Sequence, residues 1–248
     1  MDWDSVGLAE SGVEKMKISK IDKVLEVGSG HNPHARADVL LDLFEEDTID
    51  QHRGGTNLTI DRPFVKADVC DMPFEDKEFD YVMAFFLLEH IPNVETAISE
   101  IQRVGKRGII ALPTEYTEFV HPCREHQWFC SYDEKGIIFK KKPEGWYSPL
   151  KDTFHTLWNN DKDYFWFFQH HLKLFGFRHE WEGKINYRIE PFNGFEFKNL
   201  DISHTNRGFR EFVPHWLQVK IGKSDAYPKL KSLLSWSVRS HEVRELRL

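Results

Sequence analysis

The stretch VLEVGSGHNPHARADVLLDL, Val24 to Leu43, contains two short apolar runs and a glycine turn. The first run, Val24–Val27, carries Glu26 and breaks into Gly28-Ser29-Gly30. The second begins at Val39 and reaches Asp42. Four-residue Val/Leu runs bounded by turn residues read as strands buried on both faces, the pattern of a parallel sheet.

The same signal recurs downstream. Lys23–Val27, Val39–Leu43, Phe64–Ala67, Asp80–Phe85 and Gly108–Leu112 all read as buried strands. Between the last two, Val94, Ala97, Ile98, Ile101 and Val104 recur at helical spacing, with Asn93 placed to cap the start and Gly105 to close the end. A strand, a helix and a strand in that order form a parallel pair with a right-handed crossover. Repetition of that unit predicts an α/β fold with a doubly wound, mostly parallel, Rossmann-like sheet. We expect seven strands. Residues 164–175 read as an aromatic-rich helix started by Asp161-Lys162-Asp163. Phe177–Glu182 and Ile185–Glu190 then read as an antiparallel terminal hairpin around Gly183-Lys184. Residues 114–163 have weak periodicity, and a structureless loop of that length is foreign to a compact domain. The expected organisation is a cofactor-binding core over 1–113, an inserted acceptor cap over 114–163, and 164–248 completing the sheet and adding a C-terminal helix.

In an open α/β sheet, ligands sit beyond the carboxyl ends of the strands, where strand order reverses. Gly28 and Gly30 fall at that point, and glycine lets a ligand approach the backbone closely. Asp42 closes the second strand, where a carboxylate accepts both hydroxyls of a ribose. Asp68 closes the third, where it accepts the exocyclic amine of adenine beside the apolar wall of Val69. Ribose plus adenine indicates an adenosine-containing cofactor. A nicotinamide dinucleotide site would use G-x-G-x-x-G and a helix N-terminus for its pyrophosphate. Here the text is Gly28-Ser29-Gly30-His31-Asn32-Pro33, without the third glycine and with little room for that helix.

With these residues in place, the chain resembles the class I S-adenosylmethionine-dependent methyltransferases, in their type 11-like branch. The resemblance rests on VLEVGSG, Asp42, ADVCDMPFEDKEFDYV, LLEHIPN and RVGKRGIIALP, within residues 20–113. It implies S-adenosyl-L-methionine as cofactor. Glu26, Gly28, Ser29 and Gly30 would surround its methionine part, and Asp42 its ribose. Asp68 and Val69 would hold the adenine, and Phe85 would lie beside the amino-acid moiety. Asn32 departs from the family pattern, in which many members have a third glycine there.

Methyl transfer needs a nucleophile held in line with the methyl carbon, and a base when the acceptor is a hydroxyl. His90, in LLEHIPN, falls near the expected methyl position; the alternative for His90 and Glu89 is a structural role at a helix start. Glu115, His121 and His126 follow the fifth strand, where acceptor loops begin, and His126 is the preferred base because imidazole titrates near neutrality. The sequence-based catalytic set is therefore His126, His90 and Glu115. The spacing His121-x-Cys123-x2-His126-x3-Cys130 lacks the paired C-x2-C of structural zinc sites, so no metal is expected. Trp146, Trp158, Phe165, Trp166 and Phe168 read as core in preference to an aromatic acceptor pocket.

Composition sets the outer limits. The 248 residues are 40% hydrophobic and 29% charged, with three cysteines and a net charge of −7. There is no apolar run long enough to span a bilayer and no disulfide framework. MDWDSVGLAE does not read as a secretory leader, and the expected location is cytoplasmic. The acidic balance argues against a nucleic-acid partner; the one basic run, KGIIFKKK over 135–142, reads as a solvated strand end. The expected function is methyl transfer to a small-molecule or glycan acceptor, since EHQWFCSYDEKGIIFKKK resembles the same region of methyltransferases of surface-polysaccharide synthesis. The alternatives are a protein or nucleic-acid methyltransferase, a non-catalytic cofactor-binding scaffold, and a nucleotide-sugar dehydrogenase or epimerase.

Overall fold

A computed structural model describes residues 16–44, 58–164, 168 and 172–195. The expected C-terminal helix, Phe165 and Trp166 lie outside the described residues. Six strands form the main sheet: β1 (Val24–Val27), β2 (Val39–Asp42), β3 (Phe64–Lys66), β4 (Phe79–Phe85), β5 (Gly105–Pro113) and β8 (Gly176–Glu182), in the order β3-β2-β1-β4-β5-β8. The first five are mutually parallel, and β8 runs antiparallel to β5 from Arg107↔Glu182 to Pro113↔Gly176. Chain order reverses at β1, which pairs with β2 on one side and β4 on the other, so a crevice opens above the ends of β1 and β4.

The period-2 alternation divides the core. Leu25, Val27, Val82, Ala84 and Ile110 face one layer, where helix α1 (Val94–Val104) adds Ala97, Ile98 and Ile101, all essentially inaccessible. Val24, Leu40, Tyr81, Met83 and Ile109 face the other, against Met16 and Ile18. Burial of each such aliphatic side chain contributes about 1.5–3 kcal/mol, which explains why polar residues are rare in these strands. Asn93 caps α1 as read from the sequence, its side chain accepting from the Thr96 amide at 3.4 Å.

The 114–163 segment is structured. It forms α2 (Glu115–Val120), β6 (Trp128–Asp133), β7 (Gly136–Lys141) and α3 (Lys151–Asn160). Asp161 caps the next turn, accepting from the amides of Asp163 and Tyr164 at 3.0 and 2.9 Å. Helix α4 (Leu172–Phe175) leads into β8.

Two expectations need correction. The terminal hairpin does not form: β9 (Tyr187–Glu190) leaves the main sheet and pairs in parallel with β7, giving a second sheet in the order β6-β7-β9. The cause lies in Ile185, whose side chain is drawn into the core beneath α1 and whose amide donates to Gln102 Oε1 at 2.6 Å. That anchor turns the chain away from β8 after one bridge, Glu182↔Lys184. The main sheet therefore has six strands among the described residues, where seven were expected. The basic run is not uniformly solvated either. Lys140 turns inward to Glu115 at 2.9 Å and Lys142 to Glu118 at 3.1 Å, both pairs largely buried. Residues two apart share a face, and here that face meets the acids of α2.

Candidate active site

The glycine turn folds tightly over the end of β2. Gly28 and Gly30 hold φ of +67° and +58°, the left-handed region that glycine enters without a side-chain clash. The Gly28 amide donates to Leu41 O at 2.7 Å, and the Gly30 amide to Asp42 Oδ2 at 3.1 Å. Leu87 packs directly on Gly28: a Cβ there would lie 2.7 Å from Leu87 Cδ1. Beside it, Ser29 is buried, and its Oγ has no hydrogen-bond partner among the described residues.

Asp42 is 5% exposed and also accepts from the Phe44 amide at 3.2 Å through Oδ1. Asp68 is exposed and closes a turn by accepting from the Cys70 amide at 2.8 Å; Val69 beside it is buried. Phe85 ends β4 with its ring 6.0 Å from that of His34. The next residue, Phe86, stands at φ +50°, its amide donating to Ala111 O. Gly28, Ser29, Gly30, Asp42, Asp68, Val69 and Phe85 all line one cleft of about 880 Å³. Glu26 does not: its Oε2 accepts from the His34 amide at 2.7 Å and braces the glycine turn from behind.

The far wall of this cleft is built by the short 3-10 turn Leu88–His90 and by the loop between α2 and β6. The His90 and His126 rings meet at 4.5 Å, edge to face. His126 Nδ1 bonds Glu118 Oε1, and its Nε2 lies 4.0 Å from Glu89 Oε1. Burial alone would lower the His126 pKa, but Glu118 and Cys123 overcome it and hold the imidazolium up to about 10. Glu89 is fully buried, and burial raises its pKa to about 7, against the pull of His126. An imidazole held protonated donates hydrogen bonds and does not serve as a base at neutral pH.

The structure thus brings His90 and His126 together at the cleft and leaves Glu115 out of it. Glu115 is buried against Lys140, with Ser131 Oγ at 3.4 Å, where α2 packs on the second sheet. His121 reaches the cleft wall, but its Nε2 is engaged by Tyr164 OH at 2.7 Å among Phe154, Trp158 and Phe168, and burial lowers its pKa to about 4. Trp158 and Phe168 pack on each other at 4.9 Å, and Trp146 packs on Phe129 at 5.0 Å; none of the three lines the cleft. Sequence reasoning missed Glu118, the buried hub that holds His126, Lys142 and the Cys123 amide. The available signal was Glu115 and Glu118 three apart on one helix face, with Lys140 and Lys142 two apart at the end of β7.

Residues 25–112 match the family model described as a methyltransferase domain. A demethylmenaquinone methyltransferase of Staphylococcus carnosus is 27% identical over 150 residues, covering 59% of this chain and 55% of that protein. A sterol 24-C-methyltransferase of Schizosaccharomyces pombe is 36% identical over 104 residues, covering 38% and 28%. The match thus spans about half, or less, of these curated relatives. Among solved structures, an S-adenosylmethionine-dependent methyltransferase from Mesorhizobium loti aligns at 14% identity and a TM-score of 0.30, covering 49% of this chain and 57% of that one. The family match runs from β1 to β5, so this chain is similar to methyltransferase domains over the part of the main sheet that carries the cleft.

Proposed function

We propose that this chain transfers a methyl group from S-adenosylmethionine to a small acceptor entering over the far wall of the cleft. The observation that carries this reading is the constellation at the ends of β1 and β2: a left-handed glycine turn, a buried Ser29 hydroxyl without a partner among the described residues, and the Asp42 carboxylate, all lining one cleft. The polar atoms suit a zwitterionic, ribose-bearing ligand. Asp42 would accept the ribose hydroxyls, with its hydrogen bond to Gly30 fixing its rotamer. Asp68 and Val69 would bracket the adenine. Ser29 and the backbone of the glycine turn would take the polar groups of the amino-acid end. When bound, the cofactor supplies an electrophilic methyl carbon on a sulfonium.

The chain's contribution to the reaction is mainly placement. The wall lined by Ile91, Pro92, Val120 and Pro122 presents apolar surface, and Glu89, His90 and His126 form a polar point within it. That combination suits an acceptor with an apolar body and one polar reacting atom. The relatives named for demethylmenaquinone and sterol methylation are in keeping with such an acceptor. The carbohydrate reading is supported only by the resemblance of residues 125–142, and no feature of the cleft adds to it. His126, its ring held by Glu118 Oε1, would help to orient the acceptor at this point.

Calorimetry with S-adenosylmethionine, followed by transfer of a labelled methyl group to a metabolite extract, tests the proposal. Saturable binding with label appearing in a small molecule is the expected result. Binding without transfer to any small molecule would favour the scaffold reading, and absence of binding would end the proposal.

A further inference from the structure

The far wall of the cleft joins three metal-ligating side chains from separate places in the chain. One donor atom each from His90, Cys123 and His126 lies within 4.8 Å of the other two. A tetrahedral zinc ion, with nitrogen at about 2.0–2.1 Å and sulfur at about 2.3 Å, needs donors roughly 3.5 Å apart. Side-chain shifts of about 1 Å close that difference, within the range a staggered rotamer allows. The linear spacing had grouped His121 and Cys130 with these residues. The fold instead sends His121 to Tyr164 and buries Cys130 in β6, and it supplies His90 from the turn after β4.

Two further observations indicate a cation. Glu89 has a side chain only 1% exposed, and neither carboxylate oxygen has a hydrogen-bond partner among the described residues; Oε1 lies 4.0 Å from His126 Nε2. A buried carboxylate is costly unless a positive charge meets it; here it faces the His126 ring, and a metal ion on that ring would keep a positive charge beside it. Glu118 occupies His126 Nδ1, and Nε2, on the side of Glu89, is the nitrogen left to bind an ion. A carboxylate on the second nitrogen is the arrangement that fixes the tautomer of a metal-bound histidine.

We propose that His90, Cys123 and His126 bind one divalent transition-metal ion, zinc by the softness of a thiolate–imidazole donor set, at the acceptor end of the cleft. The Cys123 thiolate and the Glu89 carboxylate together balance its two positive charges. Three protein ligands leave a fourth position, and since all three line the cleft, an oxygen or sulfur atom of the acceptor can take it. Metal binding displaces the Cys123 thiol proton and the proton on His126 Nε2 to solvent.

The test uses the full chain, stripped by a chelator and titrated with Co2+ as a spectroscopic probe for zinc. The expected result is one cobalt per chain with a thiolate-to-cobalt charge-transfer band. That band should be lost in Cys123→Ser and kept in Cys70→Ser, whose half-buried thiol contacts Asn93 O instead. In His90→Asn the affinity should fall by at least about tenfold. Failure of the wild-type chain to bind cobalt, or survival of the thiolate band in Cys123→Ser, overturns the proposal. Should the serine variant not fold, the wild-type titration and His90→Asn still decide it. Cofactor calorimetry on the stripped chain is a separate readout, so loss of the metal site and loss of the methyl-transfer reading are told apart.

Discussion

Replacing Asp42 with alanine tests the cofactor assignment most directly. The carboxylate is 5% exposed, lines the cleft, and accepts from the Gly30 and Phe44 amides. A hydrogen bond from a ligand hydroxyl to a charged acceptor contributes about 1.5–3 kcal/mol. At 1.4 kcal/mol per factor of ten, Asp42→Ala should weaken S-adenosylmethionine binding by about 10- to 150-fold. The same substitution strips two backbone amides of their acceptor and should lower folding stability by about 1–3 kcal/mol. Calorimetry and urea unfolding on the same preparation separate the two effects. Asp42→Asn sharpens the separation, because its amide oxygen still accepts one backbone bond while the charge is gone. It should recover part of the stability and little of the affinity. A folded Asp42→Ala protein that binds the cofactor as tightly as wild type would remove Asp42 from the ribose and refute the reasoning.

Three other expectations follow from the same structure. Gly28→Ala places an L side chain at φ +67° against Leu87 and should cost about 1–2 kcal/mol for the backbone alone; an unchanged urea midpoint would show that the turn adopts another conformation. Lys140→Met should destabilise by about 3–5 kcal/mol by leaving the buried Glu115 carboxylate without its cation, whereas Glu115→Leu with Lys140→Met should recover most of that; a double-mutant cycle with no coupling would contradict the pairing. His34 is held neutral by burial and by the nearby Arg178, Arg62 and Arg36, with its Nδ1 accepting from the Arg36 amide and its own amide bound to Glu26. Its pKa in the fold is lowered from 6.5, so the unfolded chain takes up the proton first. Its contribution to stability is therefore fully present above pH 6.5 and is lost as pH falls below it. The unfolding free energy of His34→Gln should show a shallower decline than wild type below that pH, and parallel curves would remove His34 from the linkage.

The sequence by itself determined the parallel core, its helix and the glycine turn at the end of β1. Strands buried on both faces need uninterrupted Val, Leu and Ile, and α1 needs an apolar stripe at 3.6 spacing with Asn93 before it; both are local patterns. The glycine turn and Asp42 were legible for the same reason, because positive φ and the end of a strand leave their mark on neighbouring residues. Only the tertiary structure decided where β9 pairs, since its register depends on Ile185 being pulled beneath α1 and away from the β8 edge. Likewise, the polar cluster of the far wall has no linear signature. His90, Glu118, Cys123 and His126 come from a turn, a helix and a loop. Lys142 looked solvated until the fold set it against Glu118. Charge pairing in a low-dielectric interior is a property of distance in space, and that distance is fixed only when the second sheet packs on α2.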